Sequence, residues 1–167
     1  CNAIFLSTGS TSLAFAKTLV KKKTSSLTVI TNSLTIASAL FRSRCKVILL
    51  GGELRSTSLD LVGHIGEKNI AEFHVDWLIS GCDGAFSNFG FYTSDSSLSS
   101  LEKMSIKIAD HVAIITASTK FGTRSLARFA SLEDVDLLVT DSKLNPTDRE
   151  HLLNANINIV EVPPTSC

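Results

Sequence analysis

Seven short apolar runs, each of strand length, recur along the chain and constrain its fold more than any other feature. The runs are continuous rather than alternating, which is typical of strands buried on both faces of a parallel sheet. Helical patterns lie between several of them, and Pro146 after Asn145 marks a helix start before the last run. This alternation predicts an α/β fold, with a mostly parallel sheet flanked by helices and right-handed crossovers. The runs are residues 3–6, 27–30, 47–50, 77–79, 112–115, 135–139 and 157–162.

Length and composition predict one folded domain. With 167 residues, 44% of them hydrophobic and 19% charged, the chain can bury a sizeable core, and disorder is not expected. No apolar run reaches membrane-spanning length, and the start does not resemble a signal peptide. We expect residues 1–162 to form the domain and residues 163–167 to be a flexible tail. The chain opens on Cys1 without a Met, as expected of a fragment whose upstream part is missing.

The charge balance argues against a domain that binds DNA by itself. The net charge is zero, with 16 basic and 16 acidic residues, whereas such domains usually carry a basic face. The compact basic run Lys21-Lys22-Lys23 suits a solvated helix C-terminus. The four cysteines are scattered without CxxC spacing, so neither structural zinc nor a disulfide framework is predicted. A reduced, cytoplasmic setting fits this usage.

Small and polar residues follow five consecutive apolar runs. In open α/β sheets, ligands bind beyond the C-terminal ends of the strands, so these segments can converge on one site. Their convergence is more informative than any one of them. The segments are Ser7-Thr8-Gly9-Ser10-Thr11, Thr31-Asn32-Ser33, Gly51-Gly52-Glu53-Leu54-Arg55, Gly81-Cys82-Asp83-Gly84 and Ser118-Thr119-Lys120-Phe121-Gly122.

The first of these segments has the pattern of a strand, a tight turn and a helix N-terminus. Free backbone N–H groups and the helix dipole would make it an anion-binding loop, although an ordinary turn with Ser/Thr caps explains it as well. Lys120 is the sharpest single candidate, because a lysine after the fifth run can reach an anion held at the first loop. The alternative is a surface lysine.

The other candidates each have two interpretations. Asn32 can bind a ligand hydroxyl or cap the next helix. The pair Gly51-Gly52 permits a close backbone approach or positive φ, or forms a simple turn. Asp83-Gly84 offers a site carboxylate or a turn.

Taken in order, these motifs resemble the effector-sensing C-terminal domain of DeoR-family bacterial transcriptional regulators, from about Ile4 to Val162. The resemblance implies a fold shared with ribose-5-phosphate isomerase, glucosamine-6-phosphate deaminase and CoA transferases. It implies a repressor of sugar metabolism that forms a homo-oligomer and needs no cofactor. The effector would be a phosphorylated sugar or related metabolite. DNA would be bound through a winged helix-turn-helix domain upstream.

By position, the resemblance assigns residues 8–12 and Lys120 to the phosphate. The residues that it assigns to the sugar are Asn32, Gly51, Gly52, Asp83 and Gly84. The candidate effector-binding residues are Ser7, Thr8, Gly9, Ser10, Thr11, Asn32, Gly51, Gly52, Asp83, Gly84 and Lys120.

The chain departs from the family pattern at four positions that usually carry charge. Ser7 and Ala117 stand where the family commonly has Asp. Leu98 and Glu102 stand where it tends to have Glu and then Lys. Either the effector differs from the usual phosphosugar, or binding has weakened or been lost.

Three functions therefore compete. A sensor domain needs a site without catalytic machinery, which is the pattern observed. An isomerase or deaminase needs a general base over the sugar carbon, and Asp83 is the one carboxylate left for that role. The histidines lack a partner at ligand spacing, and the serines lack a GxSxG context, so an enzyme is not predicted. A dimerisation module with a vestigial pocket is the third possibility.

Overall fold

The computed structural model describes residues 2–22 and 26–163, and within them the chain forms five α-helices and twelve strands. The predicted tail lies outside the described residues except for Pro163. The helices are α1 (Ser10–Lys22), α2 (Leu34–Leu40), α3 (His64–Ile70), α4 (Ser96–Lys107) and α5 (Pro146–Asn154). The strands are β1 (Ala3–Leu6), β2 (Thr28–Thr31), β3 (Lys46–Leu49), β4 (Glu53–Arg55), β5 (Asp60–Val62), β6 (Val75–Ser80), β7 (Gly84–Phe86), β8 (Gly90–Thr93), β9 (Ala109–Ile115), β10 (Ala127–Ala130), β11 (Leu137–Asp141) and β12 (Asn158–Val162).

Seven strands form a parallel sheet at the centre of the fold, in the order β12-β11-β9-β6-β1-β2-β3. Each of the seven apolar runs in the sequence contributes one of these strands, with boundaries that shift by up to three residues. The predicted fold class is therefore confirmed. The prediction works because strands covered on both faces must be apolar throughout, and a continuous apolar run is visible locally.

Helices cover both faces of the sheet. Alternate residues of β1 separate the two cores, since Ile4 and Leu6 pack towards α1 and α2 whereas Phe5 packs towards the opposite layer. That layer contains α3, α4 and α5, represented in the larger cluster by Ile70, Leu101 and Leu152. Within the described residues, none of these helices is both long enough and apolar enough to cross a lipid bilayer.

Two small antiparallel sheets were not predicted from the sequence. One has the order β10-β8-β7, and the other is the β4–β5 hairpin. Their strands have only three or four residues, too few for a periodicity to be recognised. The first small sheet packs over α4, and the hairpin extends the chain beyond the end of β3.

The order of strands reverses next to β1, which pairs with β2 on one side and β6 on the other. The chain leaves β1 through α1, whereas it leaves β6 towards α4 on the opposite face. Where connections diverge in this way, a crevice opens beyond the C-terminal ends of the two strands. The fold therefore places a crevice above β1 and β6, where a ligand site is expected.

Gly90, at the start of β8, tests the packing of the first small sheet. Its φ is +124°, and an added Cβ would lie 2.2 Å from the backbone oxygen of Ala130. Gly63 is a matched control, because its φ is +86° and no heavy atom lies within 4 Å of an added Cβ. Backbone strain alone should destabilise Gly63→Ala by about 1–3 kcal/mol. Gly90→Ala should cost at least about 1 kcal/mol more, because it adds an overlap with backbone. Urea unfolding measures both variants, and equal losses would contradict this packing.

Candidate functional site

A cavity of about 500 Å³ lies beyond the C-terminal ends of β1, β6 and β9. It contains residues from four of the five predicted strand-end segments, together with the β4–β5 connection and the N-terminal half of α4. Its lining consists of Thr8, Gly9, Ser10, Thr11, Arg55, Thr57, Ser58, Gly81, Cys82, Asp83, Thr93, Ser94, Leu98, Glu102, Thr116, Ala117 and Lys120.

The loop after β1 forms one wall of the cavity. Gly9 has a φ of +132°, and its carbonyl oxygen accepts the first backbone hydrogen bond of α1, from Leu13 at 2.9 Å. The amides of a first helical turn have no acceptor within the helix, so this turn offers N–H groups and the positive end of the helix dipole. The geometry is that of the predicted strand, turn and helix N-terminus.

Lys120 lines the same cavity from the end of β9. A 3₁₀ turn, Ser118–Lys120, carries it, and Asp141 fixes the start of that turn. The Asp141 carboxylate accepts hydrogen bonds from the Ser118 backbone N–H at 2.8 Å and from Ser118 Oγ at 2.7 Å. These bonds lower the pKa of Asp141. Within the described residues, the Lys120 side chain has no ion-pair partner.

Asp83 lines the cavity, and its carboxylate accepts hydrogen bonds from within the protein. Its Oδ2 accepts hydrogen bonds from the backbone N–H and Oγ of Ser94, both at 2.8 Å, and from Thr93 Oγ1 at 3.4 Å. The turn at the end of β6 is thereby tied to the end of β8. Asp83 therefore combines the two roles that the sequence left open, a carboxylate at the cavity and a turn residue.

Arg55 is a cavity residue that the sequence did not single out. Its Nε and Nη2 donate to both oxygens of Asp60, at 2.8 and 2.5 Å, and Asp60 is completely buried. Its Nη1 also lies 3.0 Å from an oxygen of Asp95, the N-cap of α4. The hydrogen bond with Asp60 raises the pKa of Arg55. The charge of Arg55 is thus balanced by two carboxylates. The signal was present in the motif around Gly51, but the hairpin that brings Arg55 to the cavity was not predicted.

Two positions that depart from the family pattern contact each other. Ser7 Oγ donates a hydrogen bond of 3.1 Å to Oε1 of Glu102, although 95 residues separate them in sequence. Ser80 Oγ lies 2.9 Å from the same oxygen and 3.1 Å from the carbonyl oxygen of Gly81. The register of β1 and β6 explains this cluster, since Phe5 lies beside Leu78 and Ser7 and Ser80 follow on the face that meets α4.

Glu102 is the most strongly perturbed acid at the cavity. Only 3% of the residue is exposed, and burial raises its pKa from the ordinary 4.5 to about 8. Hydrogen bonds from Ser80 and Ser7 oppose the shift without cancelling it. Burial also raises the pKa of the Cys82 thiol, to about 11, so the thiol stays protonated and is a poor nucleophile.

Five of the candidate residues do not line the cavity. Ser7 is buried beneath the first loop. Asn32 is buried and donates from Nδ2 to the Leu61 carbonyl, and the neighbouring Ser33 caps α2. Gly51 and Gly52 connect β3 to the hairpin. Gly84 packs so closely that an added Cβ would lie 2.1 Å from a backbone oxygen.

Asn32 Oδ1 is buried without a partner among the described residues, and the assignment of these five residues to the effector stays a prediction. The six that the structure brings together are Thr8, Gly9, Ser10, Thr11, Asp83 and Lys120. Their role in binding also stays a prediction. The described residues contain no cluster of three His, Cys, Asp or Glu side chains that could hold a metal ion.

The family model described as the DeoR C terminal sensor domain matches residues 2–142. The chain belongs to the DeoR family. Three of its relatives are transcriptional regulators or repressors. The regulator YulB of Bacillus subtilis, itself uncharacterized, is 33% identical over 82% of this chain and 54% of its own length. The regulator GlpR of Haloferax volcanii is 29% identical over 95% of this chain and 61% of its own. The glycerol-3-phosphate regulon repressor of Escherichia coli is 29% identical over 84% of this chain and 56% of its own. The chain therefore spans little more than half the length of these relatives.

Solved structures share the fold at low sequence identity. The β subunit of eIF2B from Chaetomium thermophilum has a TM-score of 0.54 at 18% identity, over 93% of this chain and 47% of that one. A D-ribose-5-phosphate isomerase in complex with phospho-erythronic acid has a TM-score of 0.50 at 17% identity, over 71% of this chain and 45% of that one. The expected similarity in fold to ribose-5-phosphate isomerase is confirmed.

Glu102→Gln tests the buried acid through the pH dependence of stability. The folded protein keeps the Glu102 proton up to pH about 8, whereas an unfolded chain loses it near the ordinary 4.5. The unfolded state therefore binds fewer protons between these values, and the free energy of unfolding falls as pH rises. Between these pH values, the free energy of unfolding of the wild type should fall by up to about 1.4 kcal/mol per pH unit relative to that of Glu102→Gln. Above the pKa of about 8, the difference should stay constant.

Urea unfolding at pH 5, 7 and 9 measures this difference. Glu150→Gln, which removes an exposed carboxylate on α5, is the control and should follow the wild type at every pH. A Glu102→Gln difference that is constant with pH would contradict a protonated, buried Glu102.

Proposed function

We propose that this chain senses a phosphorylated sugar or related anionic metabolite, bound in the cavity above β1, β6 and β9. The proposal deepens the family assignment, since this is a sensor domain of DeoR-type transcriptional regulators. The observation that carries it is the convergence of the α1 N-terminus and Lys120 on one cavity. Both features favour an anion, and they come from loops that are more than a hundred residues apart.

The charges around the cavity support Lys120 as the main cationic contact. Arg55 is neutralised by Asp60 and Asp95, so its charge is largely used within the protein. Lys120 has no such partner among the described residues. It is the last residue of the 3₁₀ turn and lines the cavity. A charge-assisted hydrogen bond to a phosphate would satisfy it. For the rest of the ligand, Thr93 and Ser94 can accept hydrogen bonds, since their hydroxyl protons go to Asp83. Thr116, whose Oγ1 accepts from Cys82 Sγ, can still donate.

Regulation would follow from a difference in ligand affinity between two states of the full-length protein. A ligand shifts such an equilibrium only by its differential affinity for the two states. We propose that the second state differs in the DNA binding of an N-terminal helix-turn-helix domain. The repressors of the glycerol-3-phosphate regulon and of the aga operon in Escherichia coli support a link to sugar or polyol metabolism. An operator-binding assay on the full-length chain, with and without ligand, tests this step.

A thermal-shift screen with phosphorylated sugars and polyols tests the ligand class. A ligand at 100 times its Kd should add about 2.7 kcal/mol, which raises the melting temperature of a domain of this size by roughly 5–10 °C. Lys120→Ala should weaken binding by about tenfold or more, because it removes a charge-assisted contact. Lys68→Ala, at an exposed lysine of α3, is the matched control and should keep the full shift.

Three outcomes would contradict the proposal. Full affinity in Lys120→Ala would show that the anion binds elsewhere. No shift with any phosphorylated compound would favour a structural module with a vestigial cavity. Steady conversion between aldose and ketose phosphates would instead show an enzyme, and we expect none.

A further inference from the structure

The second carboxylate oxygen of Glu102 has no protein partner. Oε1 lies within hydrogen-bond distance of both Ser7 Oγ and Ser80 Oγ. Oε2 is buried, and within the described residues nothing donates to it or accepts from it. Buried polar atoms in folded proteins are nearly always hydrogen-bonded, so an orphaned carboxylate oxygen calls for a specific explanation. Glu102 itself lines the cavity.

Among the described residues, none of the charged or hydroxyl groups that act on Glu102 satisfies this oxygen. Arg55 is the cation whose charge acts on Glu102, but its guanidinium is bonded to Asp60 and Asp95. The other charged neighbour, Asp83, is an acid that opposes ionisation of Glu102. The two serine hydroxyls are already directed at Oε1. Because Glu102 lines the cavity, a molecule bound there is the candidate partner of Oε2.

A hydroxyl group is the ligand chemistry that best fits Oε2. It can donate to an ionised carboxylate and accept from a protonated one, so it satisfies Glu102 in either state. A phosphate oxygen only accepts, so it satisfies a protonated Glu102 but is repelled by an ionised one, whereas a hydroxyl group suits both states. We therefore propose that Glu102 is a specificity-determining residue, and that its Oε2 hydrogen-bonds to a hydroxyl group of the bound metabolite. The inference rests on the proposed function, because it assumes that the anionic end of the same ligand occupies the first loop and Lys120.

Two substitutions at Glu102 separate a direct contact from a structural role. Glu102→Gln retains an amide oxygen for Ser7 and Ser80, and directs its NH₂ group to the position of Oε2. Glu102→Leu keeps the apolar bulk of the side chain and removes both oxygens. Glu150→Gln, on the exposed face of α5, is the matched control. Circular dichroism and urea unfolding establish that each variant is folded.

Isothermal titration calorimetry measures binding of four probes to each variant. The probes are inorganic phosphate, ribose 5-phosphate, fructose 6-phosphate and glycerol 3-phosphate. Glu102→Leu should weaken the hydroxylated phosphate that binds best by about tenfold or more, the loss expected for a hydrogen bond in a buried site. It should weaken inorganic phosphate much less, because that probe reaches only the anion loop and Lys120. Glu102→Gln should restore most of the lost affinity, because its NH₂ group can donate to a hydroxyl.

Deoxy analogues of the best sugar phosphate identify the hydroxyl. Removing the partner hydroxyl should weaken binding to the wild type but have little further effect in Glu102→Leu, since the two changes delete one contact. Unchanged sugar-phosphate affinity in Glu102→Leu would overturn the inference. Equal losses of affinity for inorganic phosphate and sugar phosphates would also overturn it, as would a Glu102→Gln variant that binds as weakly as Glu102→Leu. The same holds if no deoxy analogue shows a smaller loss of affinity in Glu102→Leu than in the wild type.

An arm with unphosphorylated ribose and glycerol separates this inference from the proposed function. Binding of these polyols that depends on Glu102, with no binding of any phosphate, would refute the anionic effector and leave the role of Glu102 standing. Phosphate binding that is unchanged by substitution of Glu102 would support the anionic effector and refute the role of Glu102. If the wild type binds none of the probes, both proposals are refuted.

Discussion

The parallel pairing of β1 with β6 is the constraint on which the rest of the structure depends. These strands are about seventy residues apart in sequence, yet Phe5 lies beside Leu78 and Leu6 beside Ile79 in the centre of the sheet. The pairing makes β1 the point at which the chain turns to opposite faces, which opens the cavity. It also sets Ser7 and Ser80 side by side beneath that cavity. A slip of β1 by one residue would turn Ser7 to the other face and leave Glu102 with Ser80 as its one remaining donor.

The parts of the fold that could be predicted are those specified by local patterns. A strand covered on both faces must be apolar throughout, so strands at residues 77–79 and 112–115 can be predicted from local sequence alone. The parts that could not be predicted depend on distant contacts. Arg55 reaches the cavity only because a three-residue strand turns back on another and Asp60 is buried beneath it. Asn32, for which the sequence allowed a ligand contact or a helix cap, donates to the carbonyl of Leu61 in that same unpredicted hairpin, and its role towards a ligand stays a prediction.

The departures at Ser7 and Glu102 meet in the structure. From the sequence, a missing acid and an acid at a position where the family tends to have Lys left two interpretations open, a different effector or a weakened site. In the structure they share a hydrogen bond, so the small hydroxyl at Ser7 provides the donor that the acid at Glu102 needs. Leu98, one helical turn earlier and only 7% exposed, gives that acid an apolar neighbour instead of a second carboxylate. The substitutions fit together physically, which is expected of a pocket with changed preference rather than a decayed one.

The protonation of Glu102 affects how acidic the surroundings of the cavity are. Arg55 contacts two carboxylates, Asp60 and Asp95, so these three residues together carry one negative charge, while Lys120 and Asp83 offset each other. With its pKa raised to about 8, Glu102 is mostly neutral at pH 7 and adds no further negative charge that would oppose the attraction of an anion by the helix dipole of α1. An ionised Glu102 would add a second negative charge. The burial that raises the pKa of Glu102 therefore keeps a carboxylic acid compatible with an anionic ligand. It also leaves that acid able to select among anions by hydrogen bonding rather than by charge.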